Sequence, residues 1–238
     1  SALARRRCSP SRAGLDEGVM RRTSDLLRAK VDANEIPGVV SYVFRKGVLA
    51  HMDAYGYADV ARRVQLQQDS IVRIYSMTKP IVSVALGTLL DEGRLRLEDP
   101  VAKFIPAFAG AKVLDAHGRL VALKQPITVL HCLTHTSGLG YGPLLGIRSV
   151  AKMEKHYNSL AEKATLGRTH PGHHLAIRTL ERWCDELAKI PLEFQPGTAW
   201  LYGHSHDVIG RIIEVVAGER LDKFLKRRVL GPLGMQDT

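Results

Sequence analysis

The first third of the chain contains one segment of helical periodicity and two strand-like segments. Apolar residues recur at helical spacing across residues 15–34 and predict an amphipathic helix. Residues 39–44 are almost all β-branched or aromatic, and residues 48–57 continue this character after a turn at Arg45-Lys46-Gly47. These two segments predict a hairpin. Apolar residues on both faces of its first strand predict a sheet that is covered on both sides.

Helical periodicity dominates the remainder of the chain. A strongly apolar helix is predicted over residues 77–90 and is ended by Gly93. Residues 140–174 are weakly periodic and predict a long irregular segment with one helix around residues 150–164. The other predicted elements are a short capped segment, a small hairpin and four helices, over residues 99–108, 113–123, 127–134, 175–187, 206–216 and 221–230. The pattern is typical of a helix-rich α+β protein with few strands.

The net charge is positive, and its distribution decides what it means. The 238 residues include 34 Lys and Arg against 24 Asp and Glu, a formal charge of +10. Residues 1–12 hold four arginines and no acid, so we expect a basic leader or linker there, ahead of a domain at residues 13–238. The leader is either a tag remnant or the Arg- and Ser-rich remnant of an organellar transit peptide. The other basic clusters are small and isolated, which is typical of a solvated surface and argues against a nucleic-acid partner.

The longest mostly apolar run, residues 81–90, is about half the length of a membrane-spanning helix, so no membrane span is predicted. Cys8, Cys132 and Cys184 are widely separated and include no C-x-x-C pair, which favours a reducing compartment, cytoplasmic or organellar. The ten histidines include no H-E-x-x-H arrangement. We therefore expect no metal ion and no organic cofactor. The sequence does not fix the oligomeric state.

A candidate nucleophile, Ser76, lies at the predicted start of a helix. Pro80 marks the first turn of that helix, because a proline loses no hydrogen bond there. Backbone N–H groups at a helix start favour the negative charge that develops in acyl transfer. Lys79 follows three residues later on the same face, and it can act as a base if burial lowers its pKa. The S-x-x-K spacing alone also arises by chance in unrelated proteins.

Several other motifs follow Ser76-x-x-Lys79 in order along the chain. They are Glu92-Gly93-Arg94-Leu95, Leu133-Thr134-His135-Thr136-Ser137-Gly138-Leu139, Pro196-Gly197-Thr198-x-Trp200-x-Tyr202 and Gly231-Pro232-Leu233-Gly234-Met235. In this order they resemble the serine β-lactamase and penicillin-binding-protein-like family, and most of all its class C β-lactamase and esterase branch. The resemblance covers residues 15–238. It implies an α+β, β-lactamase-like fold with a helical region and an antiparallel sheet flanked by helices.

The resemblance also implies roles for four residues. Ser76 would be the acyl-accepting nucleophile, and Lys79 its general base. Tyr202 matches the tyrosine of the family's Y-x-N motif, which shuttles a proton between serine, leaving group and water. His204 stands where many members have an asparagine that orients the lysine and binds the acyl amide of a lactam, so it is the candidate substrate-binding residue. Because an imidazole lacks the geometry of an amide, this change favours ester hydrolysis over β-lactam hydrolysis.

The sequence contains no motif of two other enzyme classes, the α/β-hydrolases and the P-loop phosphate-binding enzymes. The chain has neither the G-x-S-x-G elbow of an α/β-hydrolase nor a P-loop. His135 lies in a Thr- and Ser-rich turn, which is more typical of local side-chain hydrogen bonding than of a catalytic Ser-His pair.

The family's third motif, K-T-G or H-x-G, has no match after His204. In the family, its strand lines the site and supplies one oxyanion-hole N–H. We therefore expect a C-terminally truncated chain that lacks its C-terminal sheet strands and has an incomplete site. The predicted function is hydrolysis of a small-molecule ester or amide through an acyl-enzyme, with esterase favoured over β-lactamase activity. The alternative is a catalytically inactive fragment or scaffold protein that keeps the fold.

Overall fold

The computed structural model describes residues 7–141, Met153, Tyr157 and residues 179–238. Its internal contacts divide the chain into two units. The first comprises Ser1–Ile74 with Gly231–Thr238, and the second comprises Tyr75–Leu230. Every residue of the candidate site described below lies in the second unit.

One helix and one antiparallel sheet dominate the first unit. Helix α1 (Glu17–Asp32) is capped by Asp16, whose side chain accepts a hydrogen bond from Val19 N at 2.7 Å. The sheet has three strands in the spatial order β1 (Gly38–Arg45), β2 (Val48–Asp59) and β3 (Val64–Gln65). The predicted helix and the predicted hairpin are both confirmed.

The sheet differs from the prediction in two ways. Strand β3 is not predicted, because two residues are too few to show a periodic pattern. Among the residues that the structure describes, none covers Tyr42 and Phe44 of strand β1 fully, and these side chains expose 43% and 51% of their surface. Aromatic residues favour a strand that is packed on one side only, so their presence does not show that both sides are buried.

Residues 7–12, within the predicted basic leader, also contact this sheet. Cys8 N donates a hydrogen bond to Leu49 O at 3.2 Å. A 3-10 turn at Ser11–Ala13 follows, and Ala13 is buried. These contacts make the described part of the basic segment a component of the first unit.

The second unit is mostly helical. Its helices are α2 (Thr78–Asp91), α3 (Val129–Leu133), α4 (Leu180–Leu187), α5 (Ser205–Ala217) and α6 (Leu221–Leu225), and a π-helical turn at Lys226–Leu230 follows α6. Strands β4 (Lys112–Leu114) and β5 (Leu120–Ala122) form the predicted small hairpin. There are 3-10 turns at Tyr75–Met77, Val101–Lys103 and Pro106–Gly110.

The packing of α2 against α5 forms the centre of this unit's core. Val82, Leu86 and Leu89 are buried on α2, and Ile209 and Ile212 are buried on α5. Their spacing of three and four residues places them on one stripe of each helix. The two helices are therefore held against each other, which also fixes the N-terminal ends that carry the candidate site.

The predicted helices of this unit agree with the structure to within two residues, apart from two differences. Thr179 is extended and caps α4 by accepting a hydrogen bond from Arg182 N at 3.2 Å, so the prediction of helix at residue 179 is wrong. The segment predicted as one helix over residues 221–230 changes from α to π geometry after Leu225. The helix predicted around residues 150–164 lies outside the described residues, apart from Met153 and Tyr157.

Candidate active site

Ser76 and Lys79 meet at the start of α2. Ser76 is the middle residue of the 3-10 turn Tyr75–Met77, and Lys79 lies in the first turn of the helix. Lys79 Nζ donates a hydrogen bond to Ser76 Oγ at 3.2 Å. Pro80 follows in the same first turn, where its missing N–H costs no helical hydrogen bond. The contact is therefore the one that the three-residue spacing predicts.

The residue before Ser76 has an unusual backbone conformation. Tyr75 has a φ of +45°, in the left-handed region that residues other than glycine seldom adopt. Its side chain is 76% exposed, so packing of the ring does not explain the strain. Strained backbone is concentrated at functional sites. The strained conformation therefore makes the Ser76 turn a candidate functional feature, and no sequence pattern predicts it.

Tyr202 reaches the same serine from the segment that precedes α5. Leu201 N donates to His135 O at 2.9 Å, which ties this segment to the turn after α3. Tyr202 OH donates to Ser76 Oγ at 2.6 Å. Lys79 Nζ also lies 4.6 Å from the centre of the Tyr202 ring. The three residues that the sequence predicts as catalytic thus form one cluster around the serine oxygen.

The charges in this cluster shift the pKa values of Tyr202 and Lys79 in opposite directions. Burial alone would raise the pKa of Tyr202, but its hydrogen bonds with Lys79 and Ser76 and the charge of the lysine lower it. Burial alone would lower the pKa of Lys79, but its hydrogen bonds with Tyr202 and Tyr141 raise it. The shift at the lysine is opposite to the one the sequence predicts, because an apolar helix suggests burial and gives no sign of the two phenols. The arrangement favours an ammonium at Lys79 and easier ionisation of Tyr202.

A second tyrosine, Tyr141, lies beside the same lysine. Lys79 Nζ donates to Tyr141 OH at 3.3 Å, and the rings of Tyr141 and Tyr202 meet edge to face with centres 5.4 Å apart. Burial raises the pKa of Tyr141 and outweighs the opposite effect of Lys79, so Tyr141 stays protonated more readily than a free phenol. The sequence does not identify Tyr141, because this residue follows the turn motif that ends at Leu139 and is no part of it.

His204, the predicted substrate-binding residue, lies apart from the other three. Its Nδ1 is 3.0 Å from Asp207 Oδ2, and its side chain is only 12% exposed. The ring meets Tyr141 edge to face at 4.4 Å between centres, and Trp183 at 5.1 Å. These contacts place His204 in the wall behind Tyr141, with its ring hydrogen-bonded to Asp207.

Two further histidines lie behind Tyr202. The His135 ring centre is 4.7 Å from that of Tyr202 and 5.0 Å from that of His206. His206 Nε2 lies 3.1 Å from Ser83 Oγ on α2. Burial, His135 and Lys79 together lower the pKa of His206 to about 4, and burial and Lys79 also lower the pKa of His135. Both rings are therefore neutral at pH 7 and form an uncharged backing to Tyr202.

Two further hydrogen bonds help to hold the turn that connects α3 to Tyr141. Ser137 Oγ and Ser205 Oγ form a buried pair at 2.8 Å. Gly140 N donates to Tyr157 OH at 2.8 Å. Because Ser205 is the first residue of α5, the first pair ties this turn to the helix that follows Tyr202.

Other kinds of site are not evident in the described part of the chain. Within residues 7–141 and 179–238, no three His, Cys, Asp or Glu side chains are grouped so that they could hold a metal ion. None of the helices described there combines the length and apolar character needed to cross a membrane. Cys8, Cys132 and Cys184 are free thiols, and burial raises the pKa of Cys132 to about 12.

Comparison with known proteins finds similarity to this chain in both sequence and fold. The family model described as Beta-lactamase matches residues 23–238. The chain is 34% identical over 216 residues to Protein Rv1367c of Mycobacterium tuberculosis, covering 89% of this chain and 49% of that protein. It is 33% identical over 234 residues to Esterase EstB of Burkholderia gladioli, covering 94% of this chain and 54% of the esterase. The solved structure of EstCE1, a hydrolase with promiscuous acyltransferase activity, is similar with a TM-score of 0.73 and 29% identity, over 90% of this chain and 51% of that one. The chain spans about half the length of the curated relatives it matches.

Proposed function

The chain belongs to the Beta-lactamase family, and we propose that it is a serine hydrolase acting on small esters or amides through an acyl-enzyme, with esters preferred over β-lactams. The observation that carries this proposal is the convergence of Lys79 Nζ and Tyr202 OH on Ser76 Oγ, at 3.2 and 2.6 Å. Lys79 supplies a cation beside the serine oxygen, and Tyr202, whose pKa is lowered, accepts the serine proton once it is ionised, so the cluster is equipped for nucleophilic catalysis. The similarity to an esterase, EstB, supports the ester class.

In the proposed acylation step, Ser76 Oγ attacks the carbonyl carbon of the ester while its proton passes to Tyr202 in its phenolate form. The lowered pKa of Tyr202 supports its use as the base. Lys79, whose pKa is raised, remains an ammonium that stabilises the phenolate. This assignment differs from the one the sequence predicts, in which Lys79 is the base.

The tetrahedral intermediate carries a negative oxygen, and we assign the Ser76 N–H as one donor to it. N–H groups at a helix start have no helical partner and are free to make this hydrogen bond. As the intermediate collapses, the bond to the alcohol oxygen breaks. Tyr202 returns its proton to that oxygen, so the alcohol leaves and Ser76 is left acylated.

Deacylation repeats the sequence with water as the nucleophile. Water attacks the acyl carbonyl, its proton passes to Tyr202, and the carbon–oxygen bond to Ser76 breaks as that proton returns to Oγ. The product is the free acid. An alcohol in place of water gives acyl transfer by the same intermediate, and the similarity to EstCE1 supports this as a side activity.

The preference for esters rests on the position two residues after Tyr202. An asparagine there would offer an amide to the lysine and to a lactam's acyl amide. His204 instead has its Nδ1 at 3.0 Å from Asp207 and its ring against Tyr141. An imidazole held in this way is a poor substitute for an amide, which supports slow β-lactam turnover.

The test compares hydrolysis of p-nitrophenyl butyrate and nitrocefin by the wild-type chain, Ser76→Ala and a control, Ser70→Ala. Ser70 lies in the first unit, where its hydroxyl accepts a hydrogen bond from Gln67 N. We expect ester hydrolysis by the wild type and the control, none above background in Ser76→Ala, and little nitrocefin turnover by any of them. Ester hydrolysis that survives in Ser76→Ala contradicts the proposal. A folded wild type that hydrolyses neither substrate favours a non-catalytic protein that keeps the fold.

A further inference from the structure

The lysine at the centre of the site needs a fixed position to influence Tyr202. A lysine ammonium sits on a flexible stem with three rotatable donors, so a single hydrogen bond leaves it mobile. Lys79 Nζ has Ser76 Oγ at 3.2 Å and Tyr141 OH at 3.3 Å. It also lies over the rings of Tyr202 and Tyr141, at 4.6 and 5.8 Å from their centres. Tyr141 therefore contributes both an acceptor and a ring face to the lysine.

Tyr141 is itself held from behind. Its ring meets His204 edge to face, with centres 4.4 Å apart and planes 82° apart. His204 is fixed in turn because its Nδ1 is 3.0 Å from the Asp207 carboxylate, and a hydrogen bond at one ring nitrogen sets the orientation of an imidazole. A continuous set of contacts thus runs from Asp207 through His204 and Tyr141 to Lys79.

We propose that Tyr141 is a positioning residue that holds Lys79 against Tyr202, with His204 and Asp207 holding Tyr141, in place of the asparagine that this sequence lacks after Tyr202. The proposal rests on the proposed function, because it concerns the residues that carry that chemistry. It gives His204 a role different from the substrate contact that the sequence predicts. His204 acts through the ring of Tyr141, and the phenol oxygen of Tyr141 takes over the contact to the lysine.

The consequence concerns the ionisation of Tyr202. The titratable groups that face Tyr202 are Lys79 from α2, Tyr141 and His135 from the turn after α3, and, behind His135, His206 from α5. Of these, Lys79 carries the positive charge that favours the phenolate, and a hydrogen bond from Tyr141 lowers the pKa of Tyr202 further. Removing the Tyr141 hydroxyl frees the lysine and removes that hydrogen bond. Both changes raise the pKa of Tyr202 toward that of a free phenol.

The variant that tests this is Tyr141→Phe, which keeps the ring against His204 and removes only the hydroxyl. Tyr55→Phe is the matched control, because Tyr55 OH bonds Asp32 within the first unit. In Tyr141→Phe we expect kcat for p-nitrophenyl butyrate to fall about 10- to 100-fold with little change in KM, since a misplaced lysine affects the chemical step. The acidic limb of the pH profile of kcat/KM moves to higher pH. The control keeps the wild-type kcat and pH profile.

A second variant separates positioning from simple packing. His204→Ala removes the edge contact that holds Tyr141, so it lowers kcat in the same direction. Because both changes act through one contact to Lys79, the double variant Tyr141→Phe/His204→Ala loses little more activity than Tyr141→Phe alone. Urea unfolding of each variant shows whether the loss is one of folding. If the loss of kcat in the double variant equals the product of the losses in the two single variants, the two residues act independently, which contradicts the set of contacts from His204 to Lys79.

NMR of protein labelled with ¹³C at the ζ carbon of tyrosine gives a readout that needs no turnover. The chain has seven tyrosines, and Tyr202→Phe assigns the signal of interest. We expect Tyr202 to titrate below the ordinary phenol range in the wild type and at higher pH in Tyr141→Phe. An unchanged Tyr202 titration in Tyr141→Phe overturns the positioning proposal, whether or not the chain is active. If the NMR shift is as expected but the wild type hydrolyses no ester, the result contradicts the proposed function and leaves the positioning proposal standing.

Discussion

Replacing Gly203 by alanine is expected to separate Tyr202 from Ser76. Gly203 lies between Tyr202 and His204, directly against the backbone of residues 139–140. A Cβ on Gly203 would lie 2.0 Å from Leu139 O and 2.7 Å from Gly140 Cα. These are backbone atoms, which cannot swing aside as the end of a flexible side chain can.

The required displacement follows from these distances. Real Cβ atoms essentially never approach another heavy atom closer than 3.0 Å, so the contact at 2.0 Å must lengthen by roughly 1 Å. A misplacement of about 1 Å at a reacting group can cost on the order of 10²-fold in rate. The same strain costs about 1–3 kcal/mol of stability, as overpacked positions usually do. We therefore expect Gly203→Ala to lower kcat for p-nitrophenyl butyrate about 100-fold and to lower the urea midpoint.

Gly87→Ala is the matched control. Gly87 lies within α2, and a Cβ there meets nothing within 4 Å. Alanine in a helix interior is favoured over glycine by about 0.5–1 kcal/mol, so the control should raise the urea midpoint slightly and leave kcat unchanged. The reasoning is refuted if Gly203→Ala keeps kcat within about threefold of the wild type with an unchanged urea midpoint, since a shift of about 1 Å costs far more.

Three other predictions follow from the same structure. Tyr202→Phe removes the hydroxyl 2.6 Å from Ser76 Oγ, so we expect ester kcat to fall by about 10²- to 10⁴-fold with unfolding unchanged; a smaller loss argues that another group is the base. The pKa of His206 is lowered from 6.5 to about 4, so between these pH values the unfolded chain binds a proton that the folded chain does not, and the free energy of unfolding falls as the pH drops. Urea titrations from pH 7 to pH 4 should show a shallower fall in His206→Asn than in the wild type, with a difference in slope of at most about 1.4 kcal/mol per pH unit. Leu86→Ala empties a fully buried position on α2 and should cost about 2–5 kcal/mol of unfolding free energy, whereas the exposed Val84→Ala should cost little; similar costs for both contradict the assignment of the core.

The sequence predicts the fold well where the signal is local. The order of motifs implies a β-lactamase-like α+β fold, and the family match and the similarity to EstCE1 confirm it. Helical spacing predicts α1, α2 and α5 to within a few residues, because one buried face of each helix repeats every three to four positions. The exposure of Tyr42 and Phe44 is not predicted, because it depends on what packs against the strand.

In the candidate site too, contacts between residues close in sequence are predictable, whereas contacts between distant residues are not. Lys79 is three residues from Ser76 in a helix start, so their contact is a local property that spacing can predict. Tyr141 reaches Lys79 across a turn in which His135 has a φ of +57° and Gly138 a φ of +87°. No pattern of residue types encodes the result of those angles. The direction of the Lys79 pKa shift is missed for the same reason, since it depends on phenols that are distant in sequence.

The most direct test of the central claim is covalent labelling of the wild-type chain with a fluorophosphonate, followed by intact mass and peptide mapping. We predict a single adduct on Ser76, absent in Ser76→Ala and formed more slowly in Tyr202→Phe. An adduct on another residue, or no adduct on a chain that unfolds cooperatively in urea, contradicts the assignment of Ser76 as an activated nucleophile.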